Sequence, residues 1–152
     1  MAVTNNADLL AIKAELQNDP KTLGLVAPPA IDDVGNADKL NLVRVELQID
    51  REAVPISEIV KAVDRDEFNA LSAADRSWLQ FITQGGSINP QTNSEIREGM
   101  LQLFAVGTES RTNLTALLTE SASRVNQMFK EGLLTKTYVL TPSDIASARN
   151  AV

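Results

Sequence analysis

The chain has 152 residues, of which 43% are hydrophobic, and it carries a formal net charge of −6. It contains no histidine and no cysteine, which excludes disulfides, thiolate chemistry and sites that need an imidazole. The length and apolar content are typical of one globular domain with a packed core, so we expect a single helical domain over residues 1–152.

The negative charge is unevenly distributed along the sequence. Residues 1–76 contain 14 acidic and 8 basic side chains, whereas residues 77–152 contain 6 of each. No cluster of cations is available to bind DNA phosphates. No apolar run approaches the roughly 18 residues of a membrane span, and the N-terminal residues lack the features of a secretory signal. We therefore expect synthesis in the cytoplasm and no membrane partner.

The N-terminal segment predicts an amphipathic helix that Asn6 caps and that ends before Pro20. Its apolar residues have helical spacing: Leu9, Leu10, Ile12 and Leu16. Residues 20–42 include Gly24 and the pair Pro28-Pro29. They predict an extended or irregular connection that contains, at most, a weak helical turn.

Residues 43–49 predict the one clear β-strand, because Val43, Val45, Leu47 and Ile49 alternate with polar residues. The best potential partner is residues 136–140, which are rich in β-forming side chains. An isolated pair of strands is marginally stable. We therefore expect this β element to pack on helices or to be completed by another subunit.

From Pro55 onward, helical spacing and capping residues dominate the sequence. Ser72 and Thr108 are typical N-caps, and 141–144 combines a capping threonine, a proline at the first helical position and an acidic residue at the third. The sequence predicts a mainly α fold, namely a compact bundle of six to eight short helices with a minor β element.

The side chains predict no catalytic, cofactor or metal site. Asp64, Asp66 and Glu67 form the densest carboxylate cluster, but they lack the spacing of a calcium loop and are better explained by a helix N-terminus. Six large apolar residues occupy helix faces and are expected in the core, with a small-molecule pocket as the alternative: Trp78, Phe81, Met100, Phe104, Met128 and Phe129.

Four arginines are candidates for contacts between subunits, because the planar guanidinium group pairs well with carboxylates at interfaces: Arg51, Arg97, Arg111 and Arg124. Arg124 follows Ser123 at the start of a predicted helix, where the helix dipole does not favour a cation. Its partner is therefore expected to be a carboxylate, either in the same chain or in a neighbouring subunit.

Seven short motifs follow one another along the chain: IDREAVP at 49–55, EI at 58–59, AVD at 62–64, EFNALS at 67–72, NLTAL at 113–117, SASR at 121–124 and LTPSDIASAR at 140–149. This ordered series resembles a family of small proteins encoded among the structural genes of tailed bacteriophages. The order of the motifs carries the resemblance, which covers nearly the whole chain.

The resemblance implies a structural virion or assembly protein, without indicating its position in the particle. We expect a head–tail connector subunit (an adaptor or head-completion protein) without enzymatic activity, because a small, acidic, helical chain that lacks catalytic residues suits that role. Such subunits form a ring below the portal, contact portal and tail or stopper proteins, and let DNA pass without sequence-specific binding. The candidate subunit contacts are Val43, Val45, Leu47, Ile49, Arg51, Arg97, Arg111 and Arg124. Two alternatives remain: another tail, baseplate or capsid-associated structural protein, and a non-virion accessory enzyme or regulatory factor.

Overall fold

A computed structural model describes residues 2–152, which contain nine α-helices and four short strands. The predicted class, mainly α with a minor β element, is confirmed. The elements are α1 (Asn6–Asn18), α2 (Asp33–Asn41), β1 (Arg44–Asp50), β2 (Val54–Pro55), α3 (Ile56–Ala62), α4 (Arg65–Ala70), α5 (Ala73–Ile82), β3 (Ser87–Ile88), α6 (Ser94–Leu103), α7 (Glu109–Leu118), β4 (Thr119–Ala122), α8 (Arg124–Lys130) and α9 (Pro142–Asn150).

The chain packs as two compact units, each with its own core. Unit 1 contains residues 2–49 and 121–152, and unit 2 contains residues 50–120. The prediction of a single domain did not anticipate two cores. Apolar spacing identifies the buried face of each helix, but it does not identify which helices share that core.

The core of unit 1 lies among four helices. Helix α9 packs against α1 and α2, and α2 also packs against α8. The side chains buried most completely in this core are Ile12, Leu16, Leu40, Val125, Met128 and Ile145. These residues are aliphatic or methionine, as expected for a chain in which only 4% of residues are aromatic.

The segment 20–42, predicted as an extended or irregular connection, contains α2 in its second half. The side chain of Asp32 begins this helix by accepting a hydrogen bond from the Gly35 N–H at 3.0 Å. Between α1 and α2, the Asp19 carboxylate accepts hydrogen bonds from the N–H groups of Leu23 at 2.7 Å and Gly24 at 2.8 Å. Hydrogen bonds to aspartate side chains therefore fix the backbone of this segment, for which glycine and two prolines had predicted an irregular structure.

The predicted strand is confirmed as β1, but its predicted partner was wrong. β1 pairs with β4, and residues 136–140 form no strand. Instead, the Asn41 side-chain amide donates to the Leu140 carbonyl oxygen at 2.7 Å and accepts from the Leu140 N–H at 2.9 Å. One side chain thus satisfies the backbone groups that a neighbouring strand would otherwise pair.

Unit 2 is built from helices α3–α7 and one short antiparallel ladder. β2 pairs with β3, with Val54 opposite Ile88. Helix α7 packs against α3 and α6, and α5 packs against α6. The core of this unit contains Val54, Ile59, Leu79, Ile88, Met100, Phe104, Leu114 and Leu118.

Some of the large apolar residues predicted for the core are buried, and others are exposed. Four of them lie in or against a core: Met100, Phe104, Met128 and Phe129. The prediction was wrong for Phe81, which is 70% exposed. Trp78 covers Gly99 of α6 so closely that a Cβ atom at Gly99 would lie 2.5 Å from its ring. Trp78 itself stays partly open to solvent.

Asp8 is a buried carboxylate in unit 1. It accepts hydrogen bonds from the Thr135 N–H at 2.9 Å, the Thr135 hydroxyl at 2.7 Å and the Tyr138 hydroxyl. Burial opposes ionisation, but the hydrogen bonds from Tyr138 and Thr135 together outweigh it and hold the pKa of Asp8 below its ordinary value. A lowered pKa means that the folded state favours the charged carboxylate.

Replacing Asp8 with asparagine is expected to flatten the acid dependence of stability. The stabilisation from a carboxylate of lowered pKa is present above its unfolded pKa and is lost as pH falls through its folded pKa. The free energy of unfolding of Asp8→Asn, measured in urea between about pH 6 and pH 2, should therefore fall less steeply than that of the wild type. Glu98→Gln, at an exposed site, is the control; equal slopes for all three proteins would contradict the prediction.

Candidate subunit interface

β1 is an edge strand. It belongs to a two-stranded sheet, so one of its edges has no neighbouring strand. β1 has seven residues and its partner β4 has four. An unpaired edge presents backbone donors and acceptors to which another chain can bind.

The four apolar residues predicted as contacts on this strand differ in exposure. Val43 is 60% exposed and Val45 is 80% exposed, whereas Leu47 is buried at 3%. Ile49 is partly buried. Alternation places these residues on one face of the strand, and the core covers that face only near Leu47. Val43 and Val45 therefore remain available to a partner.

Two further exposed apolar residues lie next in sequence to Asn41 and Leu140. Leu42 follows Asn41 and is 54% exposed, and Val139 precedes Leu140 and is 74% exposed. The paired hydrogen bonds between Asn41 and Leu140 hold these two segments together. We call Leu42, Val43, Val45 and Val139 the β1 patch. Leu42 and Val139 are not among the contacts predicted from the sequence, although a pairing of residues 43–49 with 136–140 would bring the two segments together.

Arg124 is bound within its own chain. It is 3% exposed, and its guanidinium group donates to both Glu15 carboxylate oxygens at 2.6 and 2.9 Å. It also donates to Gln127 and to Glu131, each at 2.8 Å. Burial acts to lower the pKa of Arg124, but hydrogen bonds to Glu15 and Glu131 raise it overall. Of the two partners considered, the carboxylate in the same chain is therefore the one observed.

The other three candidate arginines also have partners in the chain. Arg51 Nη1 lies 3.2 Å from Glu58 Oε2, Arg97 Nε lies 3.1 Å from Asp50 Oδ1, and Arg111 donates to the Leu101 carbonyl oxygen. The contact of Arg97 with Asp50 is an ion pair without hydrogen-bond geometry. These three arginines are half-buried, and each guanidinium group has a partner within unit 2.

The carboxylates near the start of α4 bind backbone N–H groups. Asp64 accepts from the N–H groups of Asp66 and Glu67 at 2.9 and 3.0 Å. Glu67 accepts from those of Glu109 and Ser110 at 2.9 and 2.8 Å, and hydrogen bonds from Ser110 lower its pKa. These contacts agree with the helix N-terminus interpretation. Within residues 2–152, no three acidic side chains are placed to hold a metal ion.

The acidic excess belongs to unit 2 rather than simply to the first half of the chain. Residues 50–120 contain 11 acidic and 6 basic side chains, whereas the rest of the chain contains 9 and 8. Unit 2 therefore carries five of the six net negative charges. Dividing the sequence at its midpoint could not reveal this, because unit 1 is formed from both ends of the chain.

No protein family model, curated protein or solved structure matches this chain. In the part of the chain that the structure describes, no helix combines the length and the apolar character needed to cross a bilayer. We therefore infer function from the geometry of the β1 patch, the charge of unit 2 and the motifs of the sequence.

Proposed function

We propose that this chain is a structural virion protein of a tailed bacteriophage, a head–tail connector subunit of the adaptor or head-completion type. Its copies form a ring below the portal and contact the portal and the tail or stopper proteins, and DNA passes through the ring. The ordered motifs from 49–55 to 140–149 support the phage assignment. The chain acts through its surfaces, as a building block.

The observation that carries the proposal is the β1 patch. Val45 is the most exposed residue of the patch, at 80%, and it lies on a strand with an unpaired edge. Exposed apolar side chains on and next to this strand favour association, because association removes them from water. A ring subunit needs such a surface for its neighbour.

The charge of unit 2 supports the passage of DNA. A closed ring is formed by head-to-tail contacts, in which each subunit uses two different surfaces. Many copies of a unit with five net negative charges would repel the phosphate backbone. DNA would then move through the ring without being held.

Replacing Val45 with lysine is expected to prevent incorporation into particles. The change places a charge in the apolar contact but leaves both cores intact, because Val45 is largely outside them. In a phage lacking its own copy of the gene, plasmid-supplied wild-type protein should copurify stoichiometrically with intact particles. The Val45→Lys protein should remain in the soluble fraction with unchanged circular dichroism.

Val106→Lys provides the matched control, because Val106 is an equally exposed valine on a loop of unit 2. It should be incorporated like the wild type. Leu47 is less suitable for this purpose because it is buried, so a substitution there would disturb folding. Absence of the wild-type protein from particles would contradict the whole proposal and favour an accessory enzyme or regulatory factor. Location at a baseplate or on the capsid surface would contradict the connector assignment alone.

A further inference from the structure

Unit 2 contains an open apolar groove formed by α3, α4 and α5. Its volume is about 280 Å³, and its main lining residues are Ile59, Val60, Val63, Phe68 and Leu79. Ile59 and Leu79 belong to the core and form the floor, whereas Val60 is mostly exposed on the wall. The groove can receive a few apolar side chains but not a whole helix.

One cation lies at this groove without a partner. Arg65 lines the groove and is exposed, and its guanidinium group makes no hydrogen bond or ion pair with any residue from 2 to 152. It occupies the first position of α4, where the helix dipole does not favour a positive charge. Arg124 occupies the equivalent position of α8 and is neutralised by Glu15. Arg65 therefore has its full charge available to an external carboxylate.

The carboxylate of Asp38, next to the β1 patch, also has no partner within the described residues. Asp38 lies one turn before Leu42, and the Leu42 N–H donates to the Asp38 carbonyl oxygen at 3.0 Å, so the two side chains are neighbours on the end of α2. The Asp38 side chain is exposed and has no partner among the described residues. The exposed apolar side chains of the β1 patch thus have one unpaired negative charge beside them.

We propose that the groove of unit 2 receives the β1 patch of a second copy of this chain, with Asp38 of one copy facing Arg65 of the next. The inference rests on the proposed ring and names its second surface. A head-to-tail contact requires two different and complementary surfaces. The patch is apolar with a free carboxylate beside it, and the groove is apolar with a free guanidinium group.

Two of the three acidic residues near Arg65 are engaged by backbone groups, and the third, Asp66, is exposed and does not line the groove. The carboxylates of Asp64 and Glu67 accept hydrogen bonds from backbone N–H groups. Their charge is therefore partly satisfied within unit 2. Arg65 is the charged residue that lines the groove itself.

A charge-reversal experiment on the full-length chain tests the contact. Asp38→Arg and Arg65→Glu each place like charges opposite one another, so each protein alone should assemble about tenfold more weakly or worse in analytical ultracentrifugation. Mixed in equal amounts, the two should assemble, because alternation restores an opposite pair at every contact. The double variant should also assemble alone.

Both changes suit their helices, because they put a cation in the last turn of α2 and an anion in the first turn of α4. Misfolding is therefore not an expected cause of lost assembly, and circular dichroism should match the wild type. Glu98→Arg and Lys61→Glu make the same charge changes at exposed sites outside the patch and the groove, and they should assemble normally. Recovery in the mixture supports a head-to-tail contact between these two residues.

Two results would overturn the inference. One is normal assembly of both single variants, and the other is failure of both the mixture and the double variant to recover. Either result, together with copurification of the wild-type protein with particles, would leave the proposed function in place and exclude only this contact. Absence of the wild-type protein from particles would contradict the proposed function itself.

Discussion

Arg124→Ala is expected to lower the free energy of unfolding by about 3–5 kcal/mol, because it leaves the buried Glu15 carboxylate without its partner. Glu15 and Arg124 are both almost completely buried and are joined by two hydrogen bonds of 2.6 and 2.9 Å. The cost arises mainly from an ion that has lost both water and its counter-ion. Urea unfolding followed by circular dichroism measures the change.

Arg51→Ala is the appropriate control. Arg51 forms an ion pair with Glu58 at 3.2 Å, but both side chains retain contact with solvent. Its loss should cost at most about 1 kcal/mol. Replacing Arg124 and Glu15 together with methionine and leucine should recover much of the lost stability, because no unpaired charge is then buried. A loss below about 1 kcal/mol for Arg124→Ala would contradict the structural role.

The burial of Arg124 also bears on assembly. Its guanidinium group already donates to Glu15, Gln127 and Glu131. A neighbouring subunit therefore cannot reach it without breaking unit 1. Any effect of Arg124→Ala on assembly should match its effect on folding, in contrast to Val45→Lys, which should impair assembly alone.

Local features of the fold could be predicted from the sequence because local contacts create them. Thr141 and Asp144 form the expected capping box of α9, and Ser72 caps α5 by accepting from the Asp75 N–H at 3.1 Å. The alternation over residues 43–49 identified β1. These features depend on residues only a few positions apart, so their spacing contains the necessary information.

Long-range features could not be predicted in the same way. β4 follows α7 directly and is too short to show an alternating pattern, so it was not recognised as the partner of β1. The division into two units depends on which helices share a core. Contacts between residues far apart in the sequence determine which helices share a core; Arg124 and Glu15, for example, are 109 positions apart.

The candidate subunit contacts stay a prediction. Alternation alone does not separate the exposed Val43 and Val45 from the buried Leu47. An arginine in a sequence does not indicate whether its partner lies in the same chain. Nor does the sequence indicate that Arg65 has no partner among the described residues.

Leu114→Ala is expected to destabilise unit 2 by about 2.7–5 kcal/mol. Leu114 is fully buried on α7, within the core that this helix forms with α3 and α6. The substitution removes apolar atoms and leaves a cavity, and both effects oppose folding. The only tryptophan, Trp78, belongs to unit 2, so its fluorescence during urea unfolding reports on this unit directly. Leu10→Ala, at a partly exposed position on α1, should leave the tryptophan transition almost unchanged. Equal effects of the two substitutions would mean that burial of Leu114 does not limit the stability of unit 2.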